Sequence, residues 1–395
     1  MNDSDIVLVA ARRTPIGAFQ GALSPASGTD LGAAAIAAAM ADSGLDGNDV
    51  NEVLMGCVLP AGLGQAPARQ AALAAGLPQQ AGCTTINKVC GSGMKATMIG
   101  ADLIRSGSAS VVVSGGLESM SNAPYLVPKA RAGLRMGHQQ LLDHMFFDGL
   151  QSPFDGNMMG HFGELCAEKY GFTREAQDAF ASTSVKRALA AIESGDFDSE
   201  VTPVTMKTRK GEKTVARDEE PFNCDLDKIP TLRPAFKRDG GTVTAASSSS
   251  ISDGAAALIM MSAGEARQRG IKPLARILGH SGFAHAPEWF TTAPVFALKA
   301  LHDKLGLKVS DVDLYEINEA FAVVTMAAIE DLDLDPAKVN VNGGACALGH
   351  PIGATGARIV VTLLHALRAK GGGLGIASLC IGGGEATALA IETCE

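Results

Sequence analysis

Cys90-Gly91-Ser92-Gly93-Met94-Lys95-Ala96-Thr97-Met98-Ile99-Gly100-Ala101-Asp102-Leu103-Ile104-Arg105 is followed, after Ser106-Gly107-Ser108-Ala109-Ser110, by Val111-Val112-Val113-Ser114-Gly115-Gly116. Glycines open a run of apolar residues at helical spacing, and a basic residue and a glycine close it. The valines then read as a buried strand that ends in two glycines. The same order of parts returns between Gly349 and Gly384: a glycine-led helix, Arg368, Gly371-Gly372-Gly373, and an apolar strand through Leu379 into Gly382-Gly383-Gly384. This repetition predicts two related halves, each placing a loop at a helix N-terminus.

Reading outward, Ile6–Ala10 predicts a first buried strand, and Thr29 or Asp30 can cap an Ala-rich helix that Ser43-Gly44 stops after about Asp42. A strand near Glu52–Val58, a helix near Ala66–Ala75 and a strand at Thr84–Lys88 follow. Strands alternating with helices imply a mostly parallel, layered sheet. From Glu118 to Ser248 the chain is more polar, with one strong helix at Thr173–Glu193, and reads as an insertion over the sheet edge. Alternation resumes at Asp253–Met261, with helices at Ala293–Leu305, Glu319–Leu332 and Ile352–Ala369 and strands at Val312–Glu316 and Gly375–Leu379.

A chain of 395 residues is long for one core, and its 46 glycines with 46% hydrophobic residues suit packed α/β layers with short turns. A net charge of −9 argues against nucleic acid or an anionic membrane as partner. The longest apolar run, Leu31 to Ala41, is short of the ~20 residues that span a bilayer. Neither a secretory signal nor a peroxisomal tripeptide is visible, and eight cysteines in such a chain read as reduced thiols. The expected location is the cytosol.

Four residues stand where a strand is expected to hand over to a helix or a glycine loop. Cys90 at a helix N-terminus would feel unpaired N–H groups that favour thiolate, although a small buried cysteine fits the same turn. His350, before Pro351 at the start of a helix, is placed to be a neutral base, or else a cap or core histidine. Cys380 precedes Gly382-Gly383-Gly384, whose N–H groups can form an oxyanion nest, and it also reads as a buried strand cysteine. Asn318, in Glu316-Ile317-Asn318-Glu319-Ala320-Phe321, is by default a helix cap and otherwise holds a water or a carbonyl. Together the four can converge at one sheet end. His138, His144 and His161 lack metal-ligand spacing, so no metal is expected. Lys207, Arg209, Lys210, Lys213 and Arg217 read as a solvated hairpin that can also offer charge to phosphates.

Ala11-Arg12-Arg13-Thr14-Pro15-Ile16-Gly17, Gly116-Leu117-Glu118-Ser119-Met120-Ser121, Arg233-Pro234-Ala235-Phe236, Asp253-Gly254-Ala255-Ala256, Asn318-Glu319-Ala320-Phe321, Gly349-His350-Pro351 and Cys380-Ile381-Gly382-Gly383-Gly384 occur in that order. Over nearly its whole length the chain thus resembles the thiolase family, closest to its acetyl-CoA acetyltransferase branch. The resemblance implies two βαβαβαββ halves in a five-layer αβαβα arrangement with an inserted loop domain. The expected division is residues 1–117 completed by 249–270, a loop domain at 118–248 for CoA binding and tetramer formation, and a second half at 271–395.

By the same resemblance Cys90 is the acylated nucleophile, His350 its base, and Cys380 the group that exchanges the Cα proton. His350 with a water on Asn318 forms one oxyanion hole, and the N–H groups of Cys90 and Gly382 form the other. Ser249, Ala235, Phe236, Met158 and Phe321 are the implied CoA-binding residues. The implied reaction is reversible condensation of two acetyl-CoA to acetoacetyl-CoA plus CoA, with no cofactor beyond CoA as substrate and product. A homotetramer, built through Tyr125–His138, or a homodimer is implied. Met158-Met159-Gly160 stands where acetyl-specific members often have His-Met-Gly, Trp289-Phe290 replaces smaller residues beside the acyl group, and Pro221-Phe222 replaces a basic residue near the adenine. A broader-chain 3-ketoacyl-CoA thiolase of fatty-acid β-oxidation is the related alternative. A non-catalytic CoA- or lipid-binding protein would be expected to lack one of the cysteines or the histidine, and a decarboxylating synthase to replace Cys380.

Overall fold

The structure is a computed structural model that describes residues 1–208 and 211–394, so Arg209 and Lys210 of the basic group, and Glu395, lie outside the described residues. Residues 1 to 119 run strand Ile6–Arg13, helix Gly28–Ser43, strand Glu52–Gly56, helix Pro67–Ala74, strand Gly82–Ile86, helix Ser92–Arg105 and strand Val111–Ser119. Strand Ser252–Ser262 then returns beside the last of these, antiparallel, and completes the first half. Numbered within that half, its strands lie in the order third, second, fourth, fifth, first. The second half repeats the order with Ala275–Ala284 first, Leu314–Ile317 second, Leu374–Ile381 fourth and Glu385–Thr393 fifth. Its third strand has shrunk to a single parallel bridge between Tyr315 and Val339. The parallel and antiparallel pairings also match, which gives the expected duplication a structural basis.

Three residue pairs, Ile6 with Ile277 to Leu8 with Ala275, join the two half-sheets along their first strands. Helices Ser92–Arg105 and Ile352–Ala369 pack on each other between the half-sheets, and their apolar residues make one core with both inner sheet faces. Gly28–Ser43 and Pro67–Ala74 cover the outer face of the first half, and Ala293–Leu305 and Ala322–Leu332 that of the second. The result is the five-layer αβαβα arrangement. Ile352–Ala369 is long and apolar enough to cross a membrane, yet 83% of it is buried, because it must satisfy sheet on both sides.

Several boundaries differ from expectation for local reasons. The cap of the first helix is Ser27, whose hydroxyl accepts from the Asp30 N–H while the Asp30 carboxylate accepts from the Ser27 N–H, so Asp30 is the partner of the capping box and not the cap. Asn318 is no cap either: the helix after it begins only at Ala322, following Phe321. Strands Ala275–Ala284 and Glu385–Thr393 were not anticipated from periodicity. Lys207 and Lys213 lie on the paired strands Val204–Thr208 and Gly211–Val215, the expected hairpin.

Candidate active site

The Cys90 loop is held in a shape that a β-branched residue resists. Val89 has φ 45°, in the left-handed region, and costs of order 1–3 kcal/mol there. Three short bonds keep it so: the Val89 N–H donates to Asn87 Oδ1 at 2.9 Å, the Lys88 N–H to Ser92 Oγ at 2.8 Å, and Ser92 Oγ to the Val89 carbonyl at 2.6 Å. Lys88 also forms an ion pair with Glu385, which ties the nucleophile loop to the second half just after the triple glycine. The turn thus sets Cys90 against the Gly382 loop. The N–H groups of Gly382 and of Cys90 itself aim at the thiol and lower its pKa, but burial outweighs them and pushes it up to about 11. The expected thiolate is therefore corrected: at neutral pH this is a neutral thiol, because a helix N-terminus contributes less here than loss of water.

His350 is held in place by its neighbours. Its backbone N–H donates to the Ser250 carbonyl at 3.1 Å, and its Nδ1 lies 2.7 Å from Thr355 Oγ1. Nε2 is buried with no partner among the described residues. Burial, then the Arg358 charge, depress the imidazole to about 3, so His350 is neutral, as expected of a base. Asn318 follows a strand end that is clamped from both sides. Ile317 exchanges two hydrogen bonds with the Asn340 amide, and the Glu319 carboxylate accepts from Ser184 Oγ, Asn340 Nδ2 and the Cys346 N–H. Yet both polar atoms of the Asn318 side chain are buried without a partner among the described residues. A fixed residue with orphaned donor and acceptor suits a ligand or water, not a structural cap. Cys380 is fully buried in Leu374–Ile381, and burial together with the nearby Cys90 raises its pKa well above that of a free thiol.

Cys90, His350 and Gly382 line one cavity of about 430 Å³. Ser249, Ala235, Phe236, Met158 and Phe321, the residues expected at CoA, line the same cavity. Ser249 donates its N–H to the Ala320 carbonyl, and the Phe236 ring meets Phe321 edge to face at 6.0 Å. Asn318 and Cys380 are buried and are not among its lining residues, but each lies two residues from one that is, Ala320 and Gly382. Phe290 lines the cavity but Trp289 does not; it lies under the Lys169 ammonium, 4.5 Å from the ring centre, which corrects its expected place beside the acyl group. Phe222 is exposed on the short helix Glu220–Asn223. His144 is engaged with Asp148 at 2.6 Å.

Sequence reasoning missed two contributors. Glu118, one charge at the end of an apolar strand, is fully buried and accepts from the N–H groups of Val58, Leu59 and Gly353 at 2.9, 3.1 and 2.8 Å. Burial lifts its carboxyl to about 7 against those bonds. Thr355 was missed because its partner is one turn back, across a proline. The duplication explains where Glu118 sits. The last registered pair of the parallel ladder is Gly56 with Gly116 in the first half and Ile317 with Ser378 in the second. One residue beyond on the second strand stand Cys57 and Asn318. Two beyond on the fourth stand Glu118 and Cys380. Glu118 is thus the counterpart of Cys380, and it braces the loop that carries His350.

A neutral thiol flanked by two N–H groups and a neutral imidazole with a bare nitrogen, set on a duplicated five-layer α/β frame, define a thiol acyltransferase. Comparison with known proteins agrees. Residues 6–264 match the family described as thiolase, N-terminal domain, and residues 271–393 match thiolase, C-terminal domain. Acetyl-CoA acetyltransferase of Schizosaccharomyces pombe is 48% identical over 394 residues, spanning 99% of this chain and 100% of that protein. Acetyl-CoA acetyltransferase of Pseudomonas aeruginosa is 49% identical over 389 residues, 98% of this chain and 99% of that one. The crystal structure of the Acat5 thiolase from Ascaris suum in complex with coenzyme A superposes with a TM-score of 0.94 at 44% identity, covering 99% of this chain and 100% of that one. That of the Bacillus anthracis acetyl-CoA acetyltransferase gives 0.96 at 42%, covering 99% of each chain. The chain belongs to the thiolase family.

Proposed function

We propose that this chain is an acetyl-CoA C-acetyltransferase, condensing two acetyl-CoA to acetoacetyl-CoA plus CoA or running the same reaction in reverse. The observation that carries this reading is the meeting, at one largely apolar cavity, of the Cys90 thiol with the Gly382 N–H and the bare Nε2 of His350. The names of the full-length relatives support the acetyl assignment.

In the first half-reaction the Cys90 proton passes to His350 Nε2 as sulfur attacks the thioester carbon. The oxyanion forms against the N–H groups of Cys90 and Gly382. CoA sulfur leaves with the proton from His350, and acetyl-Cys90 remains. No charge exists at the start, so the charge that develops meets fixed dipoles in a site with little water, where they act most strongly. In the second half-reaction the Cys380 proton first passes to His350 Nε2. The thioester oxygen of the next acetyl-CoA then lies between that N–H and a water on Asn318 while its Cα proton passes to the Cys380 thiolate. The Cα then attacks the acetyl carbon, the bond to Cys90 sulfur breaks, and that sulfur takes the proton from His350 Nε2 as acetoacetyl-CoA is released. In cleavage, Cys380 supplies the proton to the departing enolate, and its raised pKa keeps it loaded for that step.

Ser249, Ala235, Phe236, Met158 and Phe321 are proposed to line the path of CoA, with residues 118–248 as the domain that binds it. Exposed apolar side chains crowd the same segment, with Tyr125 at 64%, Met136 at 90% and Phe154 at 68%, which supports assembly through Tyr125–His138 into a dimer of dimers. All eight cysteines are free and the chemistry needs two of them, which supports a reducing compartment, the cytosol. The test is loss of enolate absorbance with CoA for acetoacetyl-CoA and for a six- to eight-carbon homologue. Turnover confined to acetoacetyl-CoA is expected. Equal rates on both would overturn acetyl specificity, and no turnover of either would overturn the enzymatic reading.

A further inference from the structure

Among the described residues, His350 has no carboxylate behind it. Its Nδ1 meets a hydroxyl, Thr355 Oγ1 at 2.7 Å, and that hydroxyl is also 2.9 Å from the Pro351 carbonyl, which can only accept. A threonine hydroxyl has one proton. With that proton on the Pro351 carbonyl, the helical back-bond from a residue to the fourth before it, the oxygen facing His350 is left as an acceptor. Nδ1 must then carry a proton, and the neutral ring keeps its lone pair on Nε2, which is buried and has no partner among the described residues, in a residue that lines the cavity.

We propose that Thr355 is a positioning residue that confines the proton traffic of His350 to Nε2, by accepting from Nδ1–H whether the ring is neutral or protonated. The inference rests on the reading of His350 as the base for Cys90. It adds how one ring serves both half-reactions without changing tautomer. The neutral ring takes the Cys90 proton on Nε2 and returns it to the departing CoA, then takes a proton on Nε2 again so that an N–H faces the second thioester oxygen, while Nδ1–H never moves. A hydroxyl suits this use better than a carboxylate. It orients the ring and selects the tautomer, as the aspartate of a serine-protease triad does, but without a negative charge that would make the ring more basic. The Arg358 guanidinium, one turn further along the same helix, acts in the same direction by disfavouring imidazolium. Other charged groups near the ring are Glu118, which meets the helix three residues after His350 at the Gly353 N–H, and Glu316, which pairs with Arg358 at 2.9 Å.

Thr355 is fully buried, and its back-bond is expendable to the fold. The Pro351 carbonyl already accepts the N–H groups of Ala354 and Thr355, each at 2.9 Å. Thr355→Val therefore keeps the shape and leaves no buried carbonyl unpaired, while Nδ1 loses its partner. Thr355→Ser keeps the hydroxyl.

The decisive experiment is long-range proton–nitrogen correlation on enzyme labelled with nitrogen-15 in histidine, with the His350 signals identified by their loss in His350→Asn. The wild type is expected to show Nδ1 protonated and Nε2 bare at neutral pH. Thr355→Val is expected to show mixed tautomers and a kcat lower by roughly 100-fold, toward the low end of what a positioned base contributes, with KM nearly unchanged. Thr355→Ser is expected to restore both. A resting wild type protonated on Nε2, or a Thr355→Val enzyme with native tautomer and native kcat, would overturn the proposal. Failure of the function reading looks different: His350→Asn would then retain the rate at which Cys90 is acetylated, whatever the tautomer.

Discussion

Replacing His350 by asparagine should narrow its stability gap to the wild type as the medium is acidified. In the folded chain the imidazole, 5% exposed, titrates near pH 3, against 6.5 for an ordinary histidine. Between those values the unfolded chain binds a proton that the folded one refuses. The contribution of this group to stability is complete above pH 6.5 and falls as pH drops toward 3. From pH 7 to pH 5 the loss spans about 1.5 units below 6.5, or about 2 kcal/mol at ~1.4 kcal/mol per unit. Asparagine does not titrate, so the variant escapes that loss. Glu118 and Glu316, raised by burial to about 7 and about 8, pull total stability the opposite way over part of this range, favouring the folded state as pH falls. Both are present in either protein and cancel in the difference. The assay is equilibrium urea unfolding of wild type and variant at pH 7 and pH 5, at equal protein concentration, followed by circular dichroism. A gap that stays constant or widens at pH 5 would refute the claim that the fold holds this ring neutral, and with it the description of His350 as a poised base.

Cys90→Ser should give no acetyl-enzyme by mass spectrometry after acetyl-CoA is added. Cys380→Ser should gain the acetyl group yet neither exchange Cα protons of acetyl-CoA in deuterated water nor form acetoacetyl-CoA; near-normal condensation would remove Cys380 from its role. Asn318→Ala should lower kcat by roughly 100-fold, as loss of an oxyanion-hole donor does, while thermal stability holds or rises because two orphaned buried atoms disappear. A drop in melting temperature together with native kcat would show that Asn318 serves the fold instead. Gly349→Ala should cost about 2 kcal/mol or more, because φ is +103° there and a Cβ would stand 2.1 Å from Ser252 Oγ; an unchanged melting temperature would count against that backbone geometry.

Much of this was legible in the residues alone, for identifiable reasons. Ala293–Leu305 and Ile352–Ala369 have the boundaries that their periodicity and caps predict. Glu385–Thr393 escaped because a strand of alanines buried on both faces carries no alternation, and Ala275–Ala284 because Gly279, His280 and Gly282 interrupt it. Cys90, His350, Asn318 and Cys380 stood out as reactive or polar residues at strand ends, where a sheet presents ligands. Glu118 did not, since its bond to the Gly353 N–H crosses 235 residues of sequence. The charge state of Cys90 was misread for a related reason. The favourable helix end is local and visible in sequence, whereas the burial that overrides it is made by residues distant in sequence, among them Val58, Met120, Met145 and Ile352.

Helix Ile352–Ala369 has a consequence for how the chain is born. It packs against Ser92–Arg105, Val111–Ser119 and Ser252–Ser262, all of which leave the ribosome before it does. Between Arg105 and Ile352 a translating ribosome needs on the order of ten to fifty seconds at 5–20 residues per second. Throughout that interval the inner face of the first half-sheet waits for the most apolar helix it will ever contact. A truncated or stalled chain would present that sticky surface to the cell, so chaperones that recognise exposed hydrocarbon should engage this protein until its last fifty residues are out.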